Sequence, residues 1–516
     1  MPPYNRRKFF KSVGALSLAG VVSPAVLAAL QKDKAFRNIV FIIGDDHSTS
    51  VLGCYGNKKI RTPNLDGMAL NGTLFTHAFA NSPVCTPSRQ SFLTGRLPHA
   101  AGVTLLQTPF PEEQVTIADH LSQFGFTSAI IGKNHFNNQK EGVNHGFDVK
   151  IEAKDYRQHL AKHPPRKVPE GIKTRGPWRP FRDPARIWLN SERLPSALYD
   201  ADSEGTFFAN QAIAFMEQHQ DQRFCLWLGF NEPHSPFNFP IEYADKYRPG
   251  EMVLPQGTAE DDRWIPLVFK DLTDDEKRGI MAAYYNSVEY LDKNVGLVLN
   301  GLKRLGLEKD TIVVYIGDHG YLLNDHKRFE KHMMWEPAVK APLLIQAGRR
   351  YGQGVVCEAL TEFIDLVPTL IEAVGVKSIP GVQGKSMVPV LAKNKNSHRK
   401  YVFSEFLVDN KVMLRSRDWK YVFTSGKTDL GQGYETGHPA PGITHWLYDL
   451  QKDPNETTNL APSGRHEKLI REMQQELLKI FRATHPYSAR IPKSLPVEEQ
   501  LVLFCEPLDG ENKEGK

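Results

Sequence analysis

The sequence contains little cysteine for its length, and its few cysteines are scattered. The 516 residues include five cysteines, and their spacing matches neither a metal-binding motif nor a disulfide framework. This excludes a disulfide-rich scaffold and a cysteine-based metal module. Cys225 lies inside an apolar run and is interpreted as a packed core residue. The five are Cys54, Cys85, Cys225, Cys357 and Cys505.

The sequence also lacks a strong charge bias and any internal repeat. Its 64 Lys and Arg against 59 Asp and Glu give a net charge of +5, too mild and too dispersed to indicate nucleic-acid binding. An anionic substrate remains compatible with this balance. A chain of 516 residues is long enough for a large core and a second domain, and 41% hydrophobic with 24% charged residues is the composition of an ordinary soluble protein.

After the first thirty residues, no apolar stretch is long enough to cross a bilayer. Within them, Arg6 and Arg7 precede a mildly apolar stretch rich in Gly, Ala and Ser, residues 13–30. This pattern resembles a twin-arginine signal, so residues 1–30 are expected to engage the twin-arginine export machinery. The resemblance implies a bacterial periplasmic or secreted protein. A membrane anchor is the alternative, disfavoured by Pro24 within the stretch.

Four short apolar runs read as buried strands, and polar residues follow each of them directly. The runs are 37–44, 127–132, 224–230 and 311–317. Their alternation with helical patterns predicts an α/β sheet covered by helices on both faces. Because open α/β sheets place ligand sites at the carboxyl ends of their strands, the polar clusters are expected to converge. The clusters contain Asp45 and Asp46, Lys133 and His135, Asn231 to His234, and Asp318 and His319.

The carboxylates in these clusters predict a metal site. Asp45 and Asp46, with Asp318 beside them, would repel one another in a partly buried site unless a cation neutralised them. Carboxylate oxygens favour Ca²⁺ or Mg²⁺ over softer metals. Helix capping or a solvated loop is the other reading of the Asp-Asp pair.

A loop-to-helix junction at residues 84–96 carries the most specific motif in the chain. It places Cys85 just before Pro87, which suits a first helical turn, with Arg89 close behind. Free N–H groups, the helix dipole and a guanidinium make such a junction suitable for anions. The run Cys-Thr-Pro-Ser-Arg, followed by Thr-Gly-Arg, resembles the signature of the type I sulfatases.

This resemblance implies an alkaline phosphatase-like fold, with a large mixed central sheet sandwiched by helices, and hydrolysis of a sulfate ester. It implies that a formylglycine-generating enzyme oxidises Cys85 to formylglycine, an aldehyde whose hydrate is the nucleophile. In the family, Ca²⁺ usually occupies the metal site, although a nitrogen ligand leaves Mg²⁺ or Mn²⁺ open. The implied ligands are Asp45, Asp46, Asp318, His319 and the modified Cys85.

The resemblance also implies roles for the other polar residues. Arg89 and Lys133 would hold the aldehyde hydrate and the sulfate oxygens, and His135 would take a proton when sulfate is ejected. His234 and Lys331 would face the leaving oxygen. Lys331 is chosen for its spacing from a following apolar segment, and Lys327 is a nearby alternative in sequence.

The pattern after residue 391 changes to short strands that alternate with turns, which predicts a small antiparallel domain. The expected organisation is an export signal at 1–30, a catalytic domain at 36–391, a C-terminal subdomain at 400–484 and a tail at 485–516. The segment after residue 453 again resembles the sulfatase C-terminal subdomain.

Residues 154–193 carry eleven Lys or Arg against four Asp or Glu, with aromatic residues among them. Aromatic faces and cations would suit a sulfated glycan substrate, although a solvated basic loop is the alternative. The aromatic residues are Trp178, Phe181 and Trp188. Two other functions remain open: a phosphate or phosphonate monoester hydrolase of the same superfamily, and a metal-dependent glycan-binding protein without turnover.

Overall fold

A computed structural model describes residues 35–138, 140, 142–348, 350–393, 397–427 and 433–508. The predicted export signal at 1–30 lies outside these residues. The strands are, in chain order, β1 Asn38–Gly44, β2 Thr73–Phe75, β3 Ala78–Phe79, β4 Phe126–Gly132, β5 Val149–Ile151, β6 Arg223–Gly229, β7 Thr311–Gly317, β8 Leu322–Leu323, β9 Phe329–Glu330, β10 Leu343–Gln346, β11 Val355–Cys357, β12 Thr361–Glu362, β13 Val402–Phe406, β14 Lys411–Arg415, β15 Trp419–Thr424 and β16 Thr444–Asp449.

Eight strands form one mixed sheet in the order β11-β2-β10-β7-β1-β6-β4-β5. Strand β1 runs parallel to β6 and β7, and β4 runs parallel to β5 and β6. Strand β10 is antiparallel to both of its neighbours. The predicted α/β class with a large mixed central sheet is therefore confirmed.

Strand β1 shows why the apolar runs are continuous rather than alternating. Ile39, Phe41 and Ile43 pack into the apolar core on one face of the sheet, whereas Val40 and Ile42 pack into the core on the other face. Because successive side chains point to opposite faces, a strand covered on both faces must be apolar throughout. The four predicted strands agree with β1, β4, β6 and β7 to within one residue at each end.

Helices cover the sheet. The longest begins at Asp274. The Thr273 side chain accepts a hydrogen bond from the Glu276 N–H, and the Glu276 side chain accepts one from the Thr273 N–H, which together form a capping box. The α-helices are, in chain order, α1 Pro63–Leu70, α2 Cys85–Thr94, α3 Pro98–Ala101, α4 Ile117–Ser122, α5 Ala153–Lys162, α6 Ala185–Trp188, α7 Glu204–Gln218, α8 Leu267–Lys270, α9 Asp274–Arg304, α10 Glu336–Val339, α11 Leu366–Ala373, α12 Val388–Lys393, α13 Glu467–Thr484 and α14 Val497–Phe504.

A separate four-stranded antiparallel sheet, in the order β13-β14-β15-β16, follows the eight-stranded sheet along the chain. This agrees with the predicted smaller antiparallel sheet. Helix α14 lies within the segment predicted to be a tail, and its Leu501 and Phe504 are buried in a core shared with α13 and this sheet. That part of the segment packs because its apolar residues recur on one helical face. In the described part of the chain, none of the helices combines the length and apolar content needed to cross a membrane.

Candidate active site

The carboxyl ends of four adjacent strands lie at the same level of the sheet. Gly44 of β1 pairs with Gly317 of β7, and Gly132 of β4 pairs with Gly229 of β6. The polar residues that follow these glycines therefore meet at one edge, as the sequence predicts. A backbone hydrogen bond links the loops that follow β1 and β6: the Asp45 N–H donates to the Glu232 carbonyl at 3.0 Å.

Cys85 lies at the centre of this edge, at the first residue of α2. Its Sγ is 3.3 Å from Asp45 Oδ1 and 3.2 Å from His319 Nε2, and Lys331 Nζ donates to it at 3.0 Å. The side chain is buried. Burial and the negative charge of Asp45 raise the pKa of the thiol well above its usual range. The unmodified thiol is therefore protonated at neutral pH and is a weak nucleophile.

Arg89, one helical turn after Cys85, connects three strand ends. Its Nε donates to Asp318 Oδ2 at 2.9 Å, its Nη1 donates to the Lys133 carbonyl at 2.8 Å, and its Nη2 lies 3.5 Å from Asp45 Oδ1. Lys133 forms an ion pair with the other Asp45 oxygen. These contacts fix two cations against the carboxylate cluster and beside the Cys85 helix.

Four side chains could together hold a metal ion, and the donor set fits a divalent cation. The ligand atoms of Asp45, Asp46, Cys85 and His319 all lie within 4.8 Å of one another. His319 donates from Nδ1 to the Gly320 carbonyl at 2.8 Å, which leaves the Nε2 lone pair directed at the cluster. Asp318 Oδ1 lies 3.7 Å from that Nε2. The carboxylate oxygens suit Ca²⁺, Mg²⁺ or Mn²⁺, and the single imidazole nitrogen leaves the choice among them open.

The pKa values of the clustered carboxylates also indicate that this site needs positive charge. Burial opposes ionisation of Asp45, but Lys133, His234 and Arg89 outweigh it and lower the pKa of Asp45 well below its usual range. Burial, reinforced by Asp45, raises the pKa of Asp318. A divalent cation would allow every carboxylate to ionise together.

Two histidines lie near Cys85. His135 Nδ1 is 3.3 Å from Thr86 Oγ1, and burial together with Lys133 lowers the pKa of His135 well below its usual range. His234 donates from Nδ1 to the Ser235 carbonyl at 2.7 Å, and its Nε2 lies 3.8 Å from Asp46 Oδ2. Burial lowers the pKa of His234 to about 4 although Asp46 opposes the shift. Both imidazoles are neutral at pH 7 before substrate binds.

The structure brings Lys331 rather than Lys327 to this cluster. Lys331 is buried, donates to Asp46 Oδ1 and contacts Cys85. Burial opposes its charge, but Asp46 outweighs burial and raises the pKa of Lys331 well above its usual range. Lys327 instead pairs with Asp262. Lys331 therefore stays cationic beside Asp46 and Cys85, two residues of the cluster that could hold a metal ion.

The long helix α9 contributes a residue to this site that the motifs in the sequence do not indicate. The Tyr284 hydroxyl donates to the Asp46 carbonyl at 2.6 Å and accepts from the Ser48 N–H at 2.8 Å. Asp46 has a φ of 61°, a left-handed conformation that non-glycine residues rarely adopt. Tyr284 therefore helps to hold the Asp46 backbone. Its helical spacing is that of a core residue, so no sequence signal distinguished it.

Comparison with known families decides how this cluster is interpreted. A family model described as Sulfatase matches residues 37–376, well over half of the chain. The chain belongs to the sulfatase family. It is accordingly a sulfuric ester hydrolase. A second model, described as the C-terminal part of N-sulphoglucosamine sulphohydrolase, matches residues 324–483 of this sulfatase.

Curated relatives are similar to this sulfatase over most of their length. An N-acetylglucosamine-6-O-sulfatase of Bacteroides thetaiotaomicron is 27% identical, over 95% of this chain and 92% of the relative. A choline-sulfatase of Rhizobium meliloti is 26% identical, over 83% of each chain.

Solved structures share the fold. A phosphonate monoester hydrolase of Agrobacterium radiobacter has a TM-score of 0.73 at 22% identity, covering 88% of this sulfatase and 97% of that chain. A protein solved in complex with its substrate D-glucosamine-2-N,6-O-disulfate has a TM-score of 0.66 at 22% identity, covering 88% of this sulfatase and 98% of that chain.

Proposed function

We propose that this sulfatase hydrolyses a sulfate ester on a saccharide, with formylglycine derived from Cys85 as nucleophile and a divalent cation as cofactor. The position of Cys85 carries this proposal. Its side chain contacts Asp45 and His319 on one side and Lys331 on another, at the start of a helix that also presents Arg89. A nucleophile at this position faces both the metal ligands and the cations that would bind sulfate.

The proposed metal ligands are Asp45, Asp46, Asp318, His319 and the modified Cys85, with Ca²⁺ as the preferred ion. The cation supplies positive charge that activates the nucleophile and stabilises sulfate oxygens. Formylglycine supplies a hydrated aldehyde whose second hydroxyl allows sulfate to be ejected without hydrolysis of a stable ester. Without a bound cation, burial raises the pKa of the Cys85 thiol, and the unconverted side chain attacks poorly.

The remaining residues hold charge or move protons. Arg89 and Lys133 are fixed donors beside Cys85, suited to the sulfate and hydrate oxygens. His135 is neutral and can therefore accept a proton as sulfate leaves. His234 and Lys331 are assigned to the leaving oxygen, Lys331 as a fixed positive charge and His234 as proton donor once the bound anionic sulfate offsets the nearby lysines and Nε2 is protonated.

A saccharide substrate is supported by the relatives and by the surface next to the site. The Bacteroides relative is named for N-acetylglucosamine 6-O-sulfate, and the second family model for an N-sulphoglucosamine enzyme. A cavity of about 810 Å³ opens beside Lys133, His135 and His234 and is lined by further cations and an aromatic ring. Such walls suit an anionic sugar.

We also propose that the protein is exported by the twin-arginine route to the bacterial periplasm or beyond. This route carries folded protein, so Cys85 could be modified by the formylglycine-generating enzyme before export. Replacing Arg6 and Arg7 by Lys should stop export of the folded enzyme. Normal periplasmic yield of the variant would favour a general secretory signal instead.

Side-by-side measurement of sulfate and phosphate release tests the activity. The purified enzyme, produced with its modifying enzyme, is assayed on N-acetylglucosamine 6-sulfate and on the matching 6-phosphate. The proposal expects a higher kcat/KM for the sulfate ester. A preference for phosphate or phosphonate would favour the phosphate and phosphonate monoester hydrolase alternative, and binding of sulfated glycan without turnover would favour a glycan-binding protein.

A further inference from the structure

The cavity next to the active site has a cationic wall, and most of that charge is already paired. Its lining contains one acidic residue, Glu152. Lys133 pairs with Asp45, and Lys150 and Lys154 lie 3.2 and 3.6 Å from Glu152 oxygens. The exposed Lys140 lies 3.0 Å from Glu112. The cations of the lining are Lys133, Lys140, Lys150, Lys154 and Arg175.

Arg175 is the exception in this lining. Among the described residues, Arg175 forms no ion pair with a carboxylate, and its buried Nε has no hydrogen-bond partner. Its Nη1 reaches only the neighbouring Gly176 carbonyl, at 3.1 Å. A guanidinium presents planar, two-pronged donors that match carboxylate and sulfate. The charge of Glu232 acts on Arg175, but no ion pair joins the two described residues, and burial raises the pKa of Glu232 to about 8, so this carboxyl is largely protonated at neutral pH. Arg175 therefore keeps its planar donors for an oxyanion of a ligand.

The loop that carries Arg175 is fixed beside the catalytic histidine. The Arg175 N–H donates to the Pro195 carbonyl at 3.0 Å, and three residues later Trp178 packs edge-to-face on His234 with ring centroids 5.4 Å apart. Trp178 also lines the cavity and is 42% exposed. A sugar whose leaving oxygen faces His234 would thus have Trp178 and Arg175 along one side.

We propose that Arg175 is a specificity-determining residue that binds a second oxyanion of the substrate, a carboxylate or a further sulfate, on or next to the sugar that carries the scissile sulfate. This inference rests on the proposed function and extends it. The group attacked is held at Cys85, and the second group is bound at Arg175, in the cavity that Lys133, His135 and His234 also line. The preferred substrate is therefore a saccharide with at least two anionic groups.

Three sugar substrates differ in their second anionic group. N-acetylglucosamine 6-sulfate has none, D-glucosamine 2-N,6-O-disulfate has a second sulfate, and a disaccharide in which a uronic acid adjoins the 6-sulfated hexosamine has a carboxylate. Nitrophenyl sulfate, which has no sugar and no second anion, reports on cleavage of the sulfate ester alone.

We expect the wild type to prefer at least one doubly anionic sugar. Arg175→Gln should lower kcat/KM on that substrate at least about tenfold, as expected for loss of a hydrogen bond to a charged group, mainly through KM. Less than about twofold loss is expected on N-acetylglucosamine 6-sulfate and nitrophenyl sulfate.

Arg179→Gln is the matched control, because Arg179 lies in the same loop, pairs with Asp183 at 3.1 Å and does not line the cavity. It should leave all substrates unchanged. Arg175→Lys, which keeps a cation without the planar fork, should lose less than Arg175→Gln on the doubly anionic sugar. Equal losses on all substrates, or no wild-type preference for a second anion, would overturn the inference while leaving the proposed function intact. A wild type that releases sulfate from no substrate would instead reject the proposed function.

Discussion

His234→Ala should penalise sulfated sugars more than sulfated phenols. A sugar alcohol is a poor leaving group, because its oxygen develops nearly a full negative charge unless it receives a proton in the transition state. Nitrophenolate needs no such proton. The structure places His234 at the cavity end next to Asp46, with Nδ1–H committed to the Ser235 carbonyl and Nε2 left for the substrate.

The expected size of the effect depends on the proton that His234 must carry to the leaving oxygen. Burial lowers the pKa of His234 from 6.5 to about 4, which corresponds to about 3 kcal/mol against protonation in the free enzyme. Lys133 and Lys331 contribute to this shift, and an anionic sulfate bound beside them would offset their charge. A general acid contributes roughly 10²–10⁴-fold where protonation matters. We therefore expect the loss of kcat/KM to be at least about tenfold larger on the sugar sulfate, or about 1.4 kcal/mol.

The assay compares kcat/KM on N-acetylglucosamine 6-sulfate and on nitrophenyl sulfate for wild type, His234→Ala and Lys331→Ala. His163→Ala is the control, because His163 is an exposed histidine outside the cavity lining. Lys331→Ala should show the same bias more weakly, since a lysine with a raised pKa stabilises charge without giving up its proton. Equal losses on both substrates for His234→Ala would refute its role as the acid and would make Lys331 the next candidate.

Two further predictions concern the metal and the packing of the C-terminal sheet. Asp45→Ala or Asp318→Ala should abolish metal binding measured by elemental analysis, since each removes part of the charge that holds the cation, and undiminished metal content would reject the site. Glu336 lies 3.4 Å from Arg415 and 3.5 Å from Lys420, and against the opposing effect of burial these cations lower its pKa from 4.5 to about 2. Glu336→Gln should lower the free energy of unfolding by about 3 kcal/mol, whereas Arg417→Gln, which breaks an exposed pair with Glu358, should change it by less than about 1 kcal/mol. The Glu336 contribution should be present above about pH 4.5 and lost as pH falls through about 2, so a stability difference unchanged in acid would contradict this account.

The sheet was predictable because four strands are buried on both faces. Continuous apolar runs that end in charged residues have few other structural explanations, and parallel strands bring their carboxyl ends to one edge. That physical rule predicts from the sequence alone that Asp45, Lys133, His234 and Asp318 lie together. The Cys85 motif added the chemistry because it depends on local sequence alone.

Residues that act through tertiary packing could not be found in this way. Tyr284 has the spacing of any core residue in α9, and only the folded chain brings its hydroxyl to Asp46. The composition of residues 154–193 indicates a basic segment with aromatic residues, but it does not show which of those aromatic residues reach the cavity. Trp178 lines the cavity, whereas Trp188 is 3% exposed and packs in an apolar core. Arg175 differs from the other cations of the cavity lining because they form ion pairs in the structure, and the sequence does not show those pairs.

The central claim is that formylglycine derived from Cys85 is the nucleophile, and peptide mass at this position tests it most directly. Enzyme produced with and without a formylglycine-generating enzyme is digested, and the peptide containing Cys85 is measured alongside sulfate release from the same samples. We expect a loss of about 18 Da at Cys85, from the covalent conversion of the thiol to an aldehyde, and activity proportional to the converted fraction. Full activity in a sample whose Cys85 is entirely unmodified would contradict the account.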